Sequence, residues 1–157
     1  MSARLTSKHG GEWFDEIAAM DGAQSVFVGV LKGSGPHPSG NSQRLVEIAW
    51  WNEFGTRTKA GEVKVPERPA LRSTIIEHRY YREEMMHALK AVLTGKSTTT
   101  KEFKRVGLKA ETDIKAAYRE WLSPPNAEST IEIKGFDNPL IHTGALRQAI
   151  AYRLERA

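Results

Sequence analysis

Asn52-Glu53-Phe54-Gly55-Thr56, followed shortly by Val65-Pro66-Glu67-Arg68-Pro69-Ala70-Leu71-Arg72, is the stretch whose reading decides the fold. Its special residues are punctuation. Gly55 follows a dense apolar block, Gln43 to Phe54, which contains Leu45, Val46, Ile48, Ala49, Trp50, Trp51 and Phe54. Strand and helix both fit that block, and the placement of Gly55 as a left-handed cap favours helix. So little polar face remains that burial on more than one side is expected, with the tryptophans packed in the core. Glu62-Val63-Lys64-Val65 alternates, as one arm of a strand or hairpin does. Pro69 then opens a helix, because its missing N–H would lack a partner at a first helical position in any case.

Downstream, Leu71, Ile75, Met85, Leu89 and Val92 follow helical spacing, so a single helix is predicted from Ala70 to Thr94 with Gly95 as its stop. Its length would be roughly 35–40 Å. A second helix is predicted from a capping-box pattern at Thr99 and Glu102. Its buried stripe is Phe103, Val106, Ala110, Ile114, Ala117 and Trp121, with Gly107 admitting a close helix, and Ser123-Pro124-Pro125-Asn126 ends it. The two form an antiparallel pair. Thr130-Ile131-Glu132-Ile133-Lys134 alternates as a strand does, and Thr143 is placed to cap a short helix over Gly144 to Ala149. Ile150 to Glu155 fits either a strand or a continuation of that helix.

Upstream, Ser25 to Leu31 is valine-rich and apolar and reads as a buried strand, with Gly29 marking a bulge or a close backbone neighbour. Residues 32–42 have loop composition. The first ten residues read as a flexible arm, and residues 11–157 as one domain. Within that domain, Glu12 to Met20 suits a short helix with Trp13, Phe14, Ile17 and Met20 on one side.

Composition narrows the function. The chain has 157 residues, 39% of them hydrophobic and 27% charged, enough to bury a core without being membrane-spanning or disordered. It holds no cysteine, which excludes disulfides and thiolate metal sites. The formal net charge is +4. Arg68, Arg72, Arg79 and Arg82 alternate with Glu67, Glu77, Glu83 and Glu84, which suits a solvated or subunit-facing surface better than a phosphate-binding stripe.

Motifs for chemistry are weak. Gly95-Lys96-Ser97-Thr98 resembles the end of a phosphate-binding loop, but position 90 is lysine where that motif needs glycine. His9, His37, His78, His87 and His142 lack metal-ligand spacing, and no nucleophile elbow is present. Asp137 and His142 flank a turn and read as a hydrogen-bonded corner. No catalytic residue, cofactor or metal is assigned. Tyr80-Tyr81-Arg82 places aromatic and basic side chains together, a composition enriched at subunit contacts.

Taken in order, the Ala49 to Thr56 block, the Val65 to Arg72 block and Leu140-Ile141-His142-Thr143-Gly144-Ala145-Leu146-Arg147-Gln148-Ala149-Ile150 resemble the neck and tail-completion proteins of tailed bacteriophages. The likeness runs from Val26 to Tyr152. It departs at His142, where that family has an acid, and at Ala149, where it has serine. The resemblance implies an α+β domain, a small antiparallel sheet packed against two long helices with extended loop arms, and it favours a strand over Ile150–Leu154. It further implies a virion structural protein of the neck or upper tail, assembled in the host bacterial cytoplasm. Such a subunit would form a homo-oligomeric, usually hexameric, ring meeting the head connector and tail-tube or tail-terminator proteins. Packaged DNA would lie nearby without sequence-specific binding, and no membrane is involved. Arg57, Arg68 and Arg72 are then candidates for inter-subunit or neck contacts, alongside Tyr80 and Arg82. For Arg68 and Arg72 the competing reading is that they bond loops of their own subunit. The alternative function is a basic DNA-binding accessory module.

Overall fold

The structure is a computed structural model that describes residues 24–31, 34–38, 43–77 and 80–156. The expected N-terminal arm and the expected helix over Glu12–Met20 lie outside these residues. The fold is α+β, as the sequence predicts. Strand β1 (Gln24–Val30) pairs antiparallel with β4 (Ile150–Arg156), in a register running from Gln24 opposite Arg156 to Val30 opposite Ile150. The segment after the short helix is therefore a strand. Between β1 and β4 lie helix α1 (Leu45–Phe54), a hairpin of β2 (Thr56–Arg57) and β3 (Val63–Val65), and helices α2 (Ala70–Glu77), α3 (Tyr80–Leu93), α4 (Thr99–Glu120), α5 (Glu128–Lys134) and α6 (Ala145–Gln148).

Helix α4 is the axis of the molecule: the β1–β4 sheet, α2 and α3 all pack against it. Its buried line is Val106, Ala110, Ile114 and Tyr118, four residues apart, so the stripe takes in Tyr118 where the sequence reading favoured Ala117. The antiparallel pairing of α3 and α4 is held by Arg105 with Glu84 and by the Tyr81 hydroxyl donating to Asp113 at 2.9 Å. The predicted 70–94 helix is represented by α2 and α3, with residues 78 and 79 outside the described set. Gly95 stops α3 at φ 67°, its N–H donating to the Val92 carbonyl at 3.0 Å.

Several local expectations are corrected. The cap of α4 is Thr98, whose hydroxyl accepts the Lys101 N–H at 3.3 Å; Thr99 is already helical. Gly107 faces a strand, since a Cβ there would lie 2.6 Å from the Tyr152 ring. The β1–β4 register passes Gly29 without a bulge, and nothing lies within 4 Å of a Cβ built there; the position needs glycine for its φ of 148°. The expected strand at Thr130–Lys134 belongs to α5. A five-residue alternation cannot separate the two periods. Among the described residues no strand pairs with this segment, which satisfies its backbone internally as a helix. Gly135 ends it in the left-handed region, donating to the Ile131 carbonyl at 2.7 Å, and Ile133 is left 81% exposed.

The main core is Leu45, Ala49, Ala70, Ile114, Tyr118, Leu140, Leu146 and Ile150, gathered where α1, α2, the C-terminal half of α4 and the α6–β4 corner meet. At the edge of the sheet, the Glu111 carboxylate accepts the Tyr152 N–H at 3.1 Å and pairs with Lys115 at 2.6 Å. A strand group facing away from its partner is thereby satisfied within the chain.

Candidate functional site

Helix α1 is built inside out. The line it buries is Leu45, Ala49 and Glu53, spaced by four, which places two apolar side chains and an acid against the core. The next line round the helix, Val46, Trp50 and Phe54, is exposed at 39%, 63% and 45%. Core packing of Trp50 is therefore overturned, and the apolar block owes its density to two faces with different duties. Trp50 and Phe54 pack together with ring centroids 4.3 Å apart. The Arg72 guanidinium sits over Phe54, 5.3 Å from its centroid, and is adjacent to Glu67 at 3.5 Å.

Glu53 explains why the acid is buried. Its two carboxylate oxygens accept the backbone N–H groups of Leu71 at 2.6 Å and Arg72 at 3.2 Å. These are donors of the first turn of α2, left without intrahelical partners. The five residues immediately before Ala70, Val65 to Pro69, include no Ser, Thr, Asp or Asn to cap it. The cap comes instead from α1, and its negative charge suits the positive end of the helix dipole. Burial holds the Glu53 carboxyl above its ordinary value, outweighing the two N–H donors and Arg72, which pull the other way. Burial likewise raises the Tyr118 phenol, with the Glu53 charge adding to it.

The same corner is tied twice more. The Arg68 N–H donates to the Asn52 carbonyl at 2.6 Å, and the Arg72 side chain to the Glu53 carbonyl at 3.3 Å. Gly55 stands between the two blocks at φ 63° and ψ 178°, a region open essentially to glycine alone. Its ψ is not that of the left-handed cap the sequence suggests: the chain leaves α1 extended, straight into β2. A Cβ on Gly55 would lie 2.8 Å from the Val65 carbonyl oxygen.

The predicted site residues are not all brought together. Arg57 and Arg72 both belong to the α1 corner. Arg57 is exposed on the hairpin, donates to the Gly61 carbonyl at 3.0 Å, and lines with Phe54, Val63 and Pro66 an open cavity of about 400 Å³. Val63 adds an apolar side chain that is 57% exposed. Arg68 is 6% exposed and spends its guanidinium within the chain, donating to the Pro124 and Pro125 carbonyls at 2.9 and 2.7 Å. Arg82 is exposed on α3 in a separate cleft with Glu83, Met86, His87 and Lys90. The side chain of Tyr80 lies outside the described residues.

Sequence reasoning missed both the cap by Glu53 and the Trp50–Phe54 shelf. The cap left a signal in the uncapped start of α2; the shelf left none, because tryptophan in an apolar block reads as core. His37 and His142, far apart in sequence, come together as stacked rings 5.9 Å apart beside Trp51 and Asn52. Asp137 accepts from the Asn126 backbone and side-chain nitrogens at 3.1 and 2.9 Å, so it bonds an earlier loop, whereas the turn between Asp137 and His142 is closed by the Asn138 side chain accepting the Ile141 N–H at 3.2 Å. Among the described residues no group of three or more potential metal ligands occurs, and no helix is long and apolar enough to cross a membrane. Comparison with protein-family models, with curated proteins and with solved structures finds no match to this chain.

Proposed function

We propose that this chain is a structural subunit of a tailed-phage virion. It forms a ring at the head-proximal end of the tail and helps to complete the tail or join it to the head connector. The observation that carries the reading is the exposed Val46–Trp50–Phe54 line, rimmed by Arg57 and Arg72. Contiguous exposed aromatics mark interaction sites on small proteins, and Trp and Arg are the residues that dominate binding energy at such contacts. The motif blocks that carry the family resemblance fold into the corner beneath this shelf, so they act as its scaffold.

The mechanism is assembly. A rigid corner presents the shelf, and the β2–β3 hairpin beside it extends the surface offered to a neighbouring subunit, a contact that a ring repeats at every subunit. Arg57 and Arg72 serve that interface, with Arg82 on a second contact surface, whereas Arg68 holds its own subunit together. The test is deletion of the gene from its phage, followed by electron microscopy of the particles. Filled heads and tails that fail to join, or tails of faulty length, are expected. Normal infectious particles would refute the proposal.

A further inference from the structure

The exposed shelf on α1 asks what covers it, and the chain carries a segment of matching chemistry. Glu12-Trp13-Phe14-Asp15-Glu16-Ile17 combines two aromatics and an isoleucine with three acids, and precedes β1. The shelf offers the complement: Trp50, Phe54 and Val63 as apolar surface, with Arg57 and Arg72 on the rim. Glu67 is also present, but it is paired with Arg72. Resting on the assembly reading above, we propose that the shelf of one subunit receives residues Glu12–Ile17 of a neighbouring copy.

Reach favours the neighbour over the chain's own segment. β1 meets the α1 core through Val28 and Val30, at the end opposite Gln24. A seven-residue strand spans about 20 Å between these ends. The connection from Ile17 to Gln24 covers at most about 25 Å when fully extended. To reach the α1 end of the sheet within one subunit, that connection would have to run back along the whole strand with only about 5 Å to spare. A copy alongside imposes no such demand, and passing the segment from each subunit to the next would generate a closed ring. Charge matching across the contact would steer the pairing and set its register.

The experiment uses two full-length variants, one with Trp13→Ala and Phe14→Ala together, the other with Trp50→Ser. Light scattering of the wild-type chain is expected to show association beyond the monomer, and each variant alone should associate at least about tenfold more weakly. An equimolar mixture retains one intact segment and one intact shelf, so it should form a one-to-one heterodimer. A monomeric wild-type chain, a variant that associates like wild type, or a mixture that fails to pair would each overturn the inference. Should Trp50→Ser fail to fold, Arg57→Glu on the exposed hairpin carries the same test, and unchanged association of that variant would also overturn it. Because the readout is the purified chain, its failure is distinguishable from a failed particle phenotype.

Discussion

Replacing Glu53 with alanine removes both acceptors that cap α2 from α1. The side chain is 5% exposed, so the Leu71 and Arg72 N–H groups would lose partners at a site with little water. Loss of a cap costs about 0.5–2 kcal/mol, and each donor left unsatisfied in a buried setting about 1–3 kcal/mol. These overlap, and relaxation of the exposed α2 start recovers part of them, so about 3 kcal/mol of destabilisation is expected. For a chain of this size that is a fall of roughly 6–12 °C in Tm, read by thermal unfolding followed by circular dichroism. Glu53→Gln keeps one acceptor and should cost less, about 1–2 kcal/mol. The pH dependence has a definite sign. Burial raises the native carboxyl above its ordinary value of 4.5, so between these values the native state binds more protons than the unfolded chain. Its contribution to stability is then fully present below 4.5 and declines as pH rises through the native value. The advantage of wild type over Glu53→Gln should therefore shrink from acid toward neutral pH. A loss below about 1 kcal/mol for Glu53→Ala, or an advantage over Glu53→Gln that grows with pH, would refute the reasoning.

Gly55→Ala should destabilise by about 2–3 kcal/mol in urea unfolding, because the backbone there is glycine-only and the new Cβ meets the Val65 carbonyl. Gly107→Ala gains roughly 1 kcal/mol in helix propensity but drives a methyl into the Tyr152 ring, so a net loss of about 1–2 kcal/mol is expected. Combining it with Tyr152→Ala should cost less than the sum of the two changes, which a double-mutant cycle would measure. Arg68→Lys loses the planar fork that reaches two proline carbonyls and should cost about 1–3 kcal/mol, checked by chemical denaturation.

Much of the fold was legible in local chemistry. Pro69, Gly95 and the apolar spacing of the helices act within a few residues, so a single sequence carries them; this is why the 22-residue α4 and the stop of α3 are readable. What failed was local pattern with two solutions. Thr130–Lys134 alternates like a strand, yet among the described residues no strand pairs with it, and that is decided by the tertiary arrangement. Tyr118 fits the four-residue line of α4, but its burial depends on α1 and α2 closing over it.

The candidate site divides the same way. The sequence by itself determined a corner between its two motif blocks, because Gly55 and Pro69 each interrupt a regular element, while the ψ that Gly55 takes was left to the tertiary structure. It also supplied the arginines but could not sort them. Tertiary structure decided that Arg68 points inward to Pro124 and Pro125 while Arg57 stays on the surface, and that α1 buries Glu53 while exposing Trp50. The physical reason is that an acid enters the core only where donors wait for it. Here they are the Leu71 and Arg72 N–H groups of a helix that begins many residues later in the chain.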